Sequence, residues 1–239
     1  MFYITNKWMN LIKNSIKIAA LLILFSSKLE ATYQLIPKPP KDETIVCLHG
    51  FMRSKWCMMR ITHFMENEGF RVYNHDYPTR EKPIEAHGKD LIQELKALAI
   101  DYPGRPIHFI THSMGALVLR SAVNDNECPE EAKMGKAVLL APPNQGSAFG
   151  RSLKDYDAVR WVVGPAAGAQ LLESEGFDTL GEFPPSMDVM VIAGEFDSRV
   201  SLEEAKLKGP HTFLVLPRGH SLIMYDRKAI REANNFLSR

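Results

Sequence analysis

The stretch from Ile107 to Gly115, Ile-His-Phe-Ile-Thr-His-Ser-Met-Gly, passes from strand-forming residues into a sharp turn that leads to a helical run. Ser113 lies at the apex of this turn. A serine held between a strand and a helix needs strained backbone angles and small residues two positions away on either side. Gly115 meets this requirement fully and Thr111 meets it in part. The turn would expose the Ser113 hydroxyl and direct the backbone N–H of Met114 toward developing negative charge.

This turn has two interpretations. Ser113 could be a nucleophile with the Met114 N–H as an oxyanion donor, or it could only be the N-cap of the helix, a position that serine favours. The first interpretation requires a histidine and a carboxylate elsewhere in the chain, because a serine attacks only when a histidine accepts its proton and a carboxylate orients that histidine. The residues that follow the other strands therefore decide between the two.

Short apolar, β-branched runs alternate with helical patterns along the chain. The predicted strands are 44–48, 71–74, the run that ends before Ser113, 137–140, 188–193 and 212–216, and a closing helix is predicted from Ser221 to Leu237. This alternation predicts an α/β fold with a mostly parallel sheet and helices on both faces. With 239 residues, the chain is long enough for one catalytic domain, which we assign to residues 32–239.

The alternation of strands and helices lapses between residues 142 and 185. Apolar residues such as Phe149, Trp161 and Leu171 are interspersed there with glycine and proline. We expect short helices over the C-terminal edge of the sheet, forming a small lid-like or cap-like insertion. Ordinary packing would explain the same composition, but a segment in this place could roof the Ser113 turn and line a pocket, with Trp161 contributing.

Polar residues beyond the ends of later strands supply the groups that Ser113 would need. Ligands bind beyond the carboxyl ends of the strands in an open parallel sheet. Two acids, Glu195 and Asp197, follow the fifth predicted strand, and His220 follows Gly219 after the sixth. The chain order Ser113, Asp197, His220 matches nucleophile, acid and base on such a sheet. We predict these three as the catalytic residues, with Glu195 as the alternative acid.

A second loop could complete an oxyanion site. His49-Gly50-Phe51 follows the first predicted strand, where the backbone N–H of Phe51 could face that of Met114. The alternative is a glycine turn with Phe51 in the core, and both can hold because the donor belongs to the backbone. We expect His49 to shape this loop and His112 to pack beside the nucleophile.

The N-terminal segment 1–31 has the pattern of a secretory signal peptide. Lysines precede an uninterrupted apolar run at 18–25, and a polar stretch ends at Ala31. A membrane-spanning helix needs about 20 apolar residues, so cleavage is favoured over an uncleaved anchor. The protein is therefore predicted to be exported, secreted or periplasmic, and membrane-associated if the segment is retained.

Composition argues against several classes of partner. The chain has 29 basic and 28 acidic residues and no basic run with interleaved aromatics, which argues against a nucleic-acid partner. No Cys/His spacing resembles a zinc site and no glycine-rich loop resembles a phosphate cradle, so no metal or cofactor is expected.

Cys47 is expected in the core, whereas Cys57 and Cys128 could pair in an oxidising compartment.

Five motifs together resemble those of the α/β-hydrolase family, particularly its small lipases and esterases, over roughly residues 44–237. The motifs are His49-Gly50-Phe51, Thr111-His112-Ser113-Met114-Gly115, Ala141-Pro142-Pro143-Asn144-Gln145-Gly146-Ser147, Gly194-Glu195-Phe196-Asp197 and Gly219-His220-Ser221. The resemblance implies Ser113 as nucleophile, His220 as base and Asp197 as acid. It also implies Phe51 and Met114 as oxyanion donors, an acyl-enzyme, and acyl lipids as substrates. Thr111 departs from the glycine usual at that position.

The leading functional hypothesis is a serine hydrolase that cleaves carboxylic esters, acyl lipids above all, with transient contact with a membrane surface. Thioesterase and acyltransferase activities would use the same residues, because fold and triad determine acyl transfer rather than the acceptor. A different class is a non-catalytic scaffold of the same fold that binds an acyl ligand or a protein. Such scaffolds usually lack a triad member, and this chain has a candidate for each.

Overall fold

Six strands form one parallel sheet in the computed structural model, which describes residues 40–239. The strands are β1 (Thr44–Leu48), β2 (Arg71–His75), β3 (Ile107–His112), β4 (Lys136–Leu140), β5 (Asp188–Gly194) and β6 (Thr212–Leu216). They lie in the order β2-β1-β3-β4-β5-β6, and every neighbouring pair is parallel. The α/β fold predicted from the alternating pattern is confirmed.

Helices connect the strands and differ from the sequence prediction at one place. The α-helices of the described chain are α1 (Met59–Asn67), α2 (Ile84–Asp101), α3 (Met114–Val123), α4 (Glu130–Lys133), α5 (Ala148–Ser152), α6 (Asp157–Val163), α7 (Ala167–Glu173), α8 (Leu202–Ala205) and α9 (Arg227–Leu237). The single closing helix predicted from Ser221 is wrong. A 3₁₀ turn, Leu222–Tyr225, comes first, and Asp226 then caps α9 by accepting the N–H groups of Lys228 and Ala229.

The sheet is buried on both faces because successive side chains of a strand point in opposite directions. Val46 and Phe109 pack with α2 and α3 on one face, while Ile45 and Ile110 pack with α1 and α9 on the other. All five residues of β1 are buried, which explains its uninterrupted apolar sequence.

The three cysteines are free thiols. Cys128 belongs to the core on the α2/α3 face, whereas Cys57 packs against the core on the opposite face. A disulfide between Cys57 and Cys128, left open by the sequence, is therefore absent. Cys47 lies in the core as expected.

The parallel strands bring the connecting loops to one edge of the sheet, where backbone strain is concentrated. The three non-glycine residues with positive φ in the described chain are Met52, Ser113 and Ala141, and they follow β1, β3 and β4 respectively. Strained backbone persists only where surrounding structure stabilises it, and it clusters at functional sites. The strained residues therefore mark this edge of the sheet as a candidate functional site.

The segment 142–185 carries α5, α6 and α7, and buried Arg120 of α3 holds both of its ends. The Arg120 guanidinium donates to the carbonyl of Asn144 at 3.2 Å and, at the far end, to those of Phe177 and Gly181. A buried charge is costly unless it is paired and hydrogen-bonded, and these hydrogen bonds, with the ion pair to Glu182 at 3.7 Å, offset that cost. Helix α3, which follows Ser113, is thus hydrogen-bonded to both ends of this segment.

The predicted signal peptide, residues 1–31, lies outside the described residues. Between residues 40 and 239, none of the helices combines the length and apolar character that crossing a bilayer requires.

Several histidines are buried, and we expect them to make folding stability depend on pH. Burial lowers the pKa of His112 to about 3, and burial with the nearby Lys136 and Lys41 charges lowers that of His108 to about 4. The unfolded chain protonates these rings near pH 6.5, while the folded chain keeps them neutral. Stability should therefore be full above about pH 6.5 and fall by roughly 1.4 kcal/mol per pH unit per histidine below it.

Thermal denaturation at a series of pH values between about 7.5 and 4.5 checks this expectation. Replacing buried His108 with glutamine should flatten the decline in melting temperature, whereas His63→Gln should not, because the His63 side chain is exposed. A melting temperature that stays constant across this range would contradict it.

Candidate active site

Ser113 occupies a strained turn between β3 and α3. Its backbone has φ 51° and ψ −122°, and its N–H donates to the carbonyl of Leu140 at 2.9 Å. Gly115 is needed for the close approach, because a Cβ there would lie 2.8 Å from the carbonyl oxygen of Leu48. Thr111, on the other side, is fully buried and is accommodated. The turn raises the Ser113 hydroxyl above the sheet edge at the start of a helix.

The structure brings Ser113, His220 and Asp197 into one hydrogen-bonded chain. His220 Nε2 lies 3.0 Å from Ser113 Oγ, and His220 Nδ1 lies 2.7 Å from Asp197 Oδ2. A carboxylate can only accept, so Nδ1 carries the proton and Nε2 is free to accept one from the serine hydroxyl. The arrangement can therefore activate Ser113 as a nucleophile.

Asp197 is held so that it remains ionised. Its side chain is 1% exposed, and its Oδ1 accepts the N–H groups of Arg199 and Val200 at 2.8 and 3.0 Å. Although burial raises the pKa of this carboxyl, the hydrogen bond from His220 and these two N–H groups outweigh it, and the pKa lies below the usual range. Glu195 is exposed and its carboxylate makes no hydrogen bond or ion pair within residues 40–239. The geometry favours Asp197 over Glu195.

His112 packs against His220 and hydrogen-bonds to its backbone. Its Nε2 donates to the backbone carbonyl of His220 at 3.0 Å, and the two ring centroids are 5.0 Å apart. Complete burial and the nearby His220 ring keep the pKa of His112 far below that of an exposed histidine, so the ring is neutral. The sequence placed His112 beside Ser113, and the structure adds that it hydrogen-bonds to the backbone of His220.

The loop after β1 packs directly against the serine. A Cβ on Gly50 would lie 2.8 Å from His112 Nδ1 and 3.0 Å from Ser113 Cβ, so only glycine fits. The N–H of Met52 donates to Thr79 Oγ1 at 3.0 Å and anchors the loop. The N–H groups of Phe51 and Met114 donate to no acceptor in the described chain, which leaves both available to an oxyanion.

His49 shapes this loop, as the sequence suggested, through a partner that the sequence did not indicate. The Tyr77 hydroxyl donates to the His49 carbonyl at 2.6 Å, and the two rings stack with centroids 4.5 Å apart. His49 Nδ1 donates to the carbonyl of Gly50 at 3.0 Å. Tyr77 follows β2, so only the pairing of β1 with β2 reveals this contact.

A cavity of about 260 Å³ opens at Ser113 and His220. Its apolar wall comes from α5, α6, α7 and their connections and consists of Phe149, Leu153, Val159, Val163, Leu171 and Leu172. Trp161, expected to contribute to this wall, is 83% exposed and lines a separate surface cleft. Its assignment to the roof of the site is wrong because α6 turns that side chain outward.

Another cavity, about 680 Å³ in volume, lies where β5 and β6 begin and includes Lys136, His211 and Arg239. Its lining contains no serine or cysteine nucleophile. Within residues 40–239, no group of three or more His, Cys, Asp or Glu side chains could hold a metal ion. The candidate nucleophile, base and acid and the two unpaired backbone N–H groups come together at the Ser113 edge.

Solved structures with the same fold include enzymes of ester hydrolysis. The mature Bacillus licheniformis lipase BlEst2 aligns with a TM-score of 0.65 at 16% identity, over 84% of this chain and 94% of that one. The Pyrococcus furiosus esterase Pf2001 aligns at 0.59 with 21% identity, over 83% of each chain. Phospholipase PlaB from Legionella pneumophila aligns at 0.57 with 12% identity, over 82% of this chain and 63% of that one. At these identities the likeness establishes the fold.

Comparison with curated proteins gives no match. The family model described as the alpha/beta hydrolase family matches residues 45–233, which span the sheet from Ile45 of β1 through β6 and include the Ser113 turn. The chain belongs to the α/β-hydrolase family.

Proposed function

We propose that the protein is a serine hydrolase that cleaves carboxylic esters, acyl lipids in particular, through an acyl-enzyme. The observation that carries this proposal is the hydrogen-bonded chain from Ser113 through His220 to Asp197 at the mouth of an apolar cavity. The likeness in fold to a lipase and an esterase supports the same reaction class.

In the proposed reaction, Ser113 Oγ attacks the ester carbonyl while His220 Nε2 takes the hydroxyl proton. Asp197 stabilises the resulting imidazolium, and the N–H groups of Phe51 and Met114 bind the oxyanion. Collapse of the tetrahedral intermediate breaks the ester bond, and His220 returns its proton to the departing alcohol. Water then attacks the acyl-serine in the same way, which releases the carboxylic acid and regenerates Ser113.

The cavity wall predicts a preference for longer acyl chains. Each buried methylene contributes about 0.8 kcal/mol, or about fourfold in kcat/KM, until the wall is filled. Activity on an ester series from acetyl through butyryl and octanoyl to lauroyl should therefore rise and then level off. Leu153→Ala should flatten the rise, because Leu153 lines the cavity without belonging to either core cluster.

The matched control for this series is Trp161→Ala, which removes a larger apolar side chain of the same segment from outside the cavity. We expect this variant to keep the wild-type chain-length profile. Equal effects of the two substitutions, or a flat profile for the wild-type protein, would argue that segment 142–185 does not select the acyl group.

Hydrolysis is favoured over a non-catalytic scaffold because each member of the candidate triad has its partner at hydrogen-bonding distance. Thioester cleavage and acyl transfer remain alternatives that use the same acyl-enzyme. Product analysis separates them: incubation of an octanoyl ester with excess glycerol should release octanoic acid if water is the acceptor, and octanoylglycerol if an alcohol is.

We also propose that the protein is exported and touches lipid surfaces transiently. The signal pattern in residues 1–31 supports export, and the exposed side chains of Phe149 and Trp161, in the segment that lines the cavity, support lipid contact. N-terminal sequencing of the protein recovered outside the cytoplasm tests export, since it should begin after Ala31. Recovery with Met1 intact in the membrane fraction would favour the anchor.

A further inference from the structure

Two arginines lie at the mouth of the cavity that contains Ser113. Arg53 follows β1 and Arg199 follows β5, so they approach from opposite sides of the serine, which follows β3 between them. Both side chains are exposed. No aspartate or glutamate lines this cavity, so its polar side carries two positive charges and no negative one.

Neither arginine forms an ion pair with a carboxylate of residues 40–239. Arg53 Nη2 donates to the neutral hydroxyl of Ser221 at 2.8 Å, and the guanidinium of Arg199 makes no hydrogen bond or ion pair within residues 40–239. The backbone of Arg199 is nevertheless fixed, because its N–H donates to Asp197 and its carbonyl accepts the Ser147 hydroxyl. The Arg53 guanidinium is therefore anchored through one hydrogen bond and the Arg199 side chain starts from a fixed backbone, and both guanidinium groups keep free donors at the mouth.

Many arginines elsewhere in the chain face a carboxylate. The ion pairs are Arg105 with Asp42, Arg120 with Glu182, Arg151 with Glu204, Arg160 with Glu173 and Arg218 with Asp226. Arg53 and Arg199 differ from these five in lying beside the proposed nucleophile without such a partner.

Positive charge continues beyond the mouth along a surface groove, which we call the basic groove. The groove adjoins the cavity, because its lining residue Leu222 directly follows Ser221, which lines the cavity. Its basic residues are Arg60, Arg218, Arg227, Lys228 and Arg231. The acid in its lining, Asp226, is paired with Arg218 at 2.6 Å. The whole chain has a formal charge of only +1, so this edge concentrates positive charge and would attract an anionic substrate.

We propose that the ester substrate carries an anionic group, a phosphate or a carboxylate, in its alcohol half, and that Arg53 and Arg199 bind this group. The inference rests on the proposed function and names the substrate class for the same site. The apolar wall takes the acyl chain, which leaves the alcohol half at the polar mouth of the cavity, where the two arginines lie on either side of Ser113. A guanidinium donates two parallel N–H groups to phosphate or carboxylate, so it fits this role better than lysine would.

The test compares esters that share an octanoyl chain: octanoylglycerol phosphate, the octanoyl ester of glycolate, and neutral octanoylglycerol. We expect kcat/KM to be higher for the two anionic esters than for the neutral one. The ratio of kcat/KM for an anionic ester to that for the neutral ester should fall about tenfold in each of Arg53→Gln and Arg199→Gln, because each substitution removes about one charge-assisted hydrogen bond. Added salt should lower the ratio for the wild-type protein.

Arg105→Gln is the matched control, because it removes the same charge in the loop before β3, at the opposite edge of the sheet. This variant should keep the wild-type ratio of kcat/KM for anionic and neutral esters. Arg53→Lys should have a ratio between those of Arg53→Gln and the wild-type protein. If the preference for anionic esters appeared only when they were presented in phosphatidylglycerol vesicles, the two arginines would be binding a charged lipid surface. That result would overturn the proposal that they bind the anionic group of one substrate molecule.

The outcomes also separate this inference from the proposed function. Equal kcat/KM for anionic and neutral esters, with activity still dependent on Ser113, would overturn the inference alone. Absence of turnover of any of the esters, together with absence of covalent labelling of Ser113, would overturn the proposed function and the inference with it.

Discussion

Replacing Ser113 with alanine is expected to lower kcat for an octanoyl ester by a factor on the order of 10⁶, with the fold intact. The substitution removes the atom that would form the acyl-enzyme, so only the oxyanion donors and substrate binding remain to assist attack by water. The hydroxyl makes one hydrogen bond, to His220, and contributes little to packing, so its loss should hardly change the melting temperature.

The control for this variant is Ser186→Ala. The Ser186 hydroxyl is exposed and donates to the carbonyl of Lys133, away from the candidate site. This variant should keep wild-type kcat. Substantial ester hydrolysis by a folded Ser113→Ala protein would contradict the assignment of Ser113 as the nucleophile.

Asp197→Asn is expected to lower kcat by about 10⁴, because it should reverse the tautomer of His220. Asp197 Oδ1 accepts two backbone N–H groups, and an asparagine carbonyl oxygen can take over both. The asparagine NH₂ would then face His220 Nδ1, which must accept rather than donate. The proton moves to Nε2, so His220 could no longer accept the proton of Ser113.

Glu195→Gln removes the same charge two residues away and serves as the matched control. Its carboxylate is exposed and makes no contact with His220 in the described chain, so we expect kcat within about twofold of wild type, as for a surface substitution. A severe loss in Glu195→Gln with a mild loss in Asp197→Asn would exchange the two roles. Mild losses in both would argue that neither acid orients the histidine.

Local sequence patterns were sufficient for the strands and for the Ser113 turn. Short runs of four to six residues separated by helical patterns located the strands of the sheet, and chain order with strand ends selected Ser113, Asp197 and His220 as candidates. The strand predictions are confirmed, and the three side chains lie within hydrogen-bonding distance of one another because a parallel sheet brings all its strand ends to one edge, whatever the lateral order of the strands.

Contacts between distant parts of the chain could not be predicted in this way. Arg120 reaches three carbonyls of segment 142–185, and Tyr77 supports His49, only because of strand order and helix packing that no local pattern encodes. The outward direction of Trp161 depends likewise on how α6 is oriented. A cap residue offers a local signal that was missed: Asp226 before a helical run predicts the break that begins α9.

The central claim, that Ser113 is a nucleophile activated by His220, is tested most directly by mapping a covalent adduct. The wild-type protein is treated with a fluorophosphonate, digested, and analysed by mass spectrometry for the modified residue. We expect a single phosphonylated residue, Ser113, with the rate of labelling much reduced in Asp197→Asn. Absence of an adduct on folded wild-type protein, or an adduct on a different serine, would contradict it.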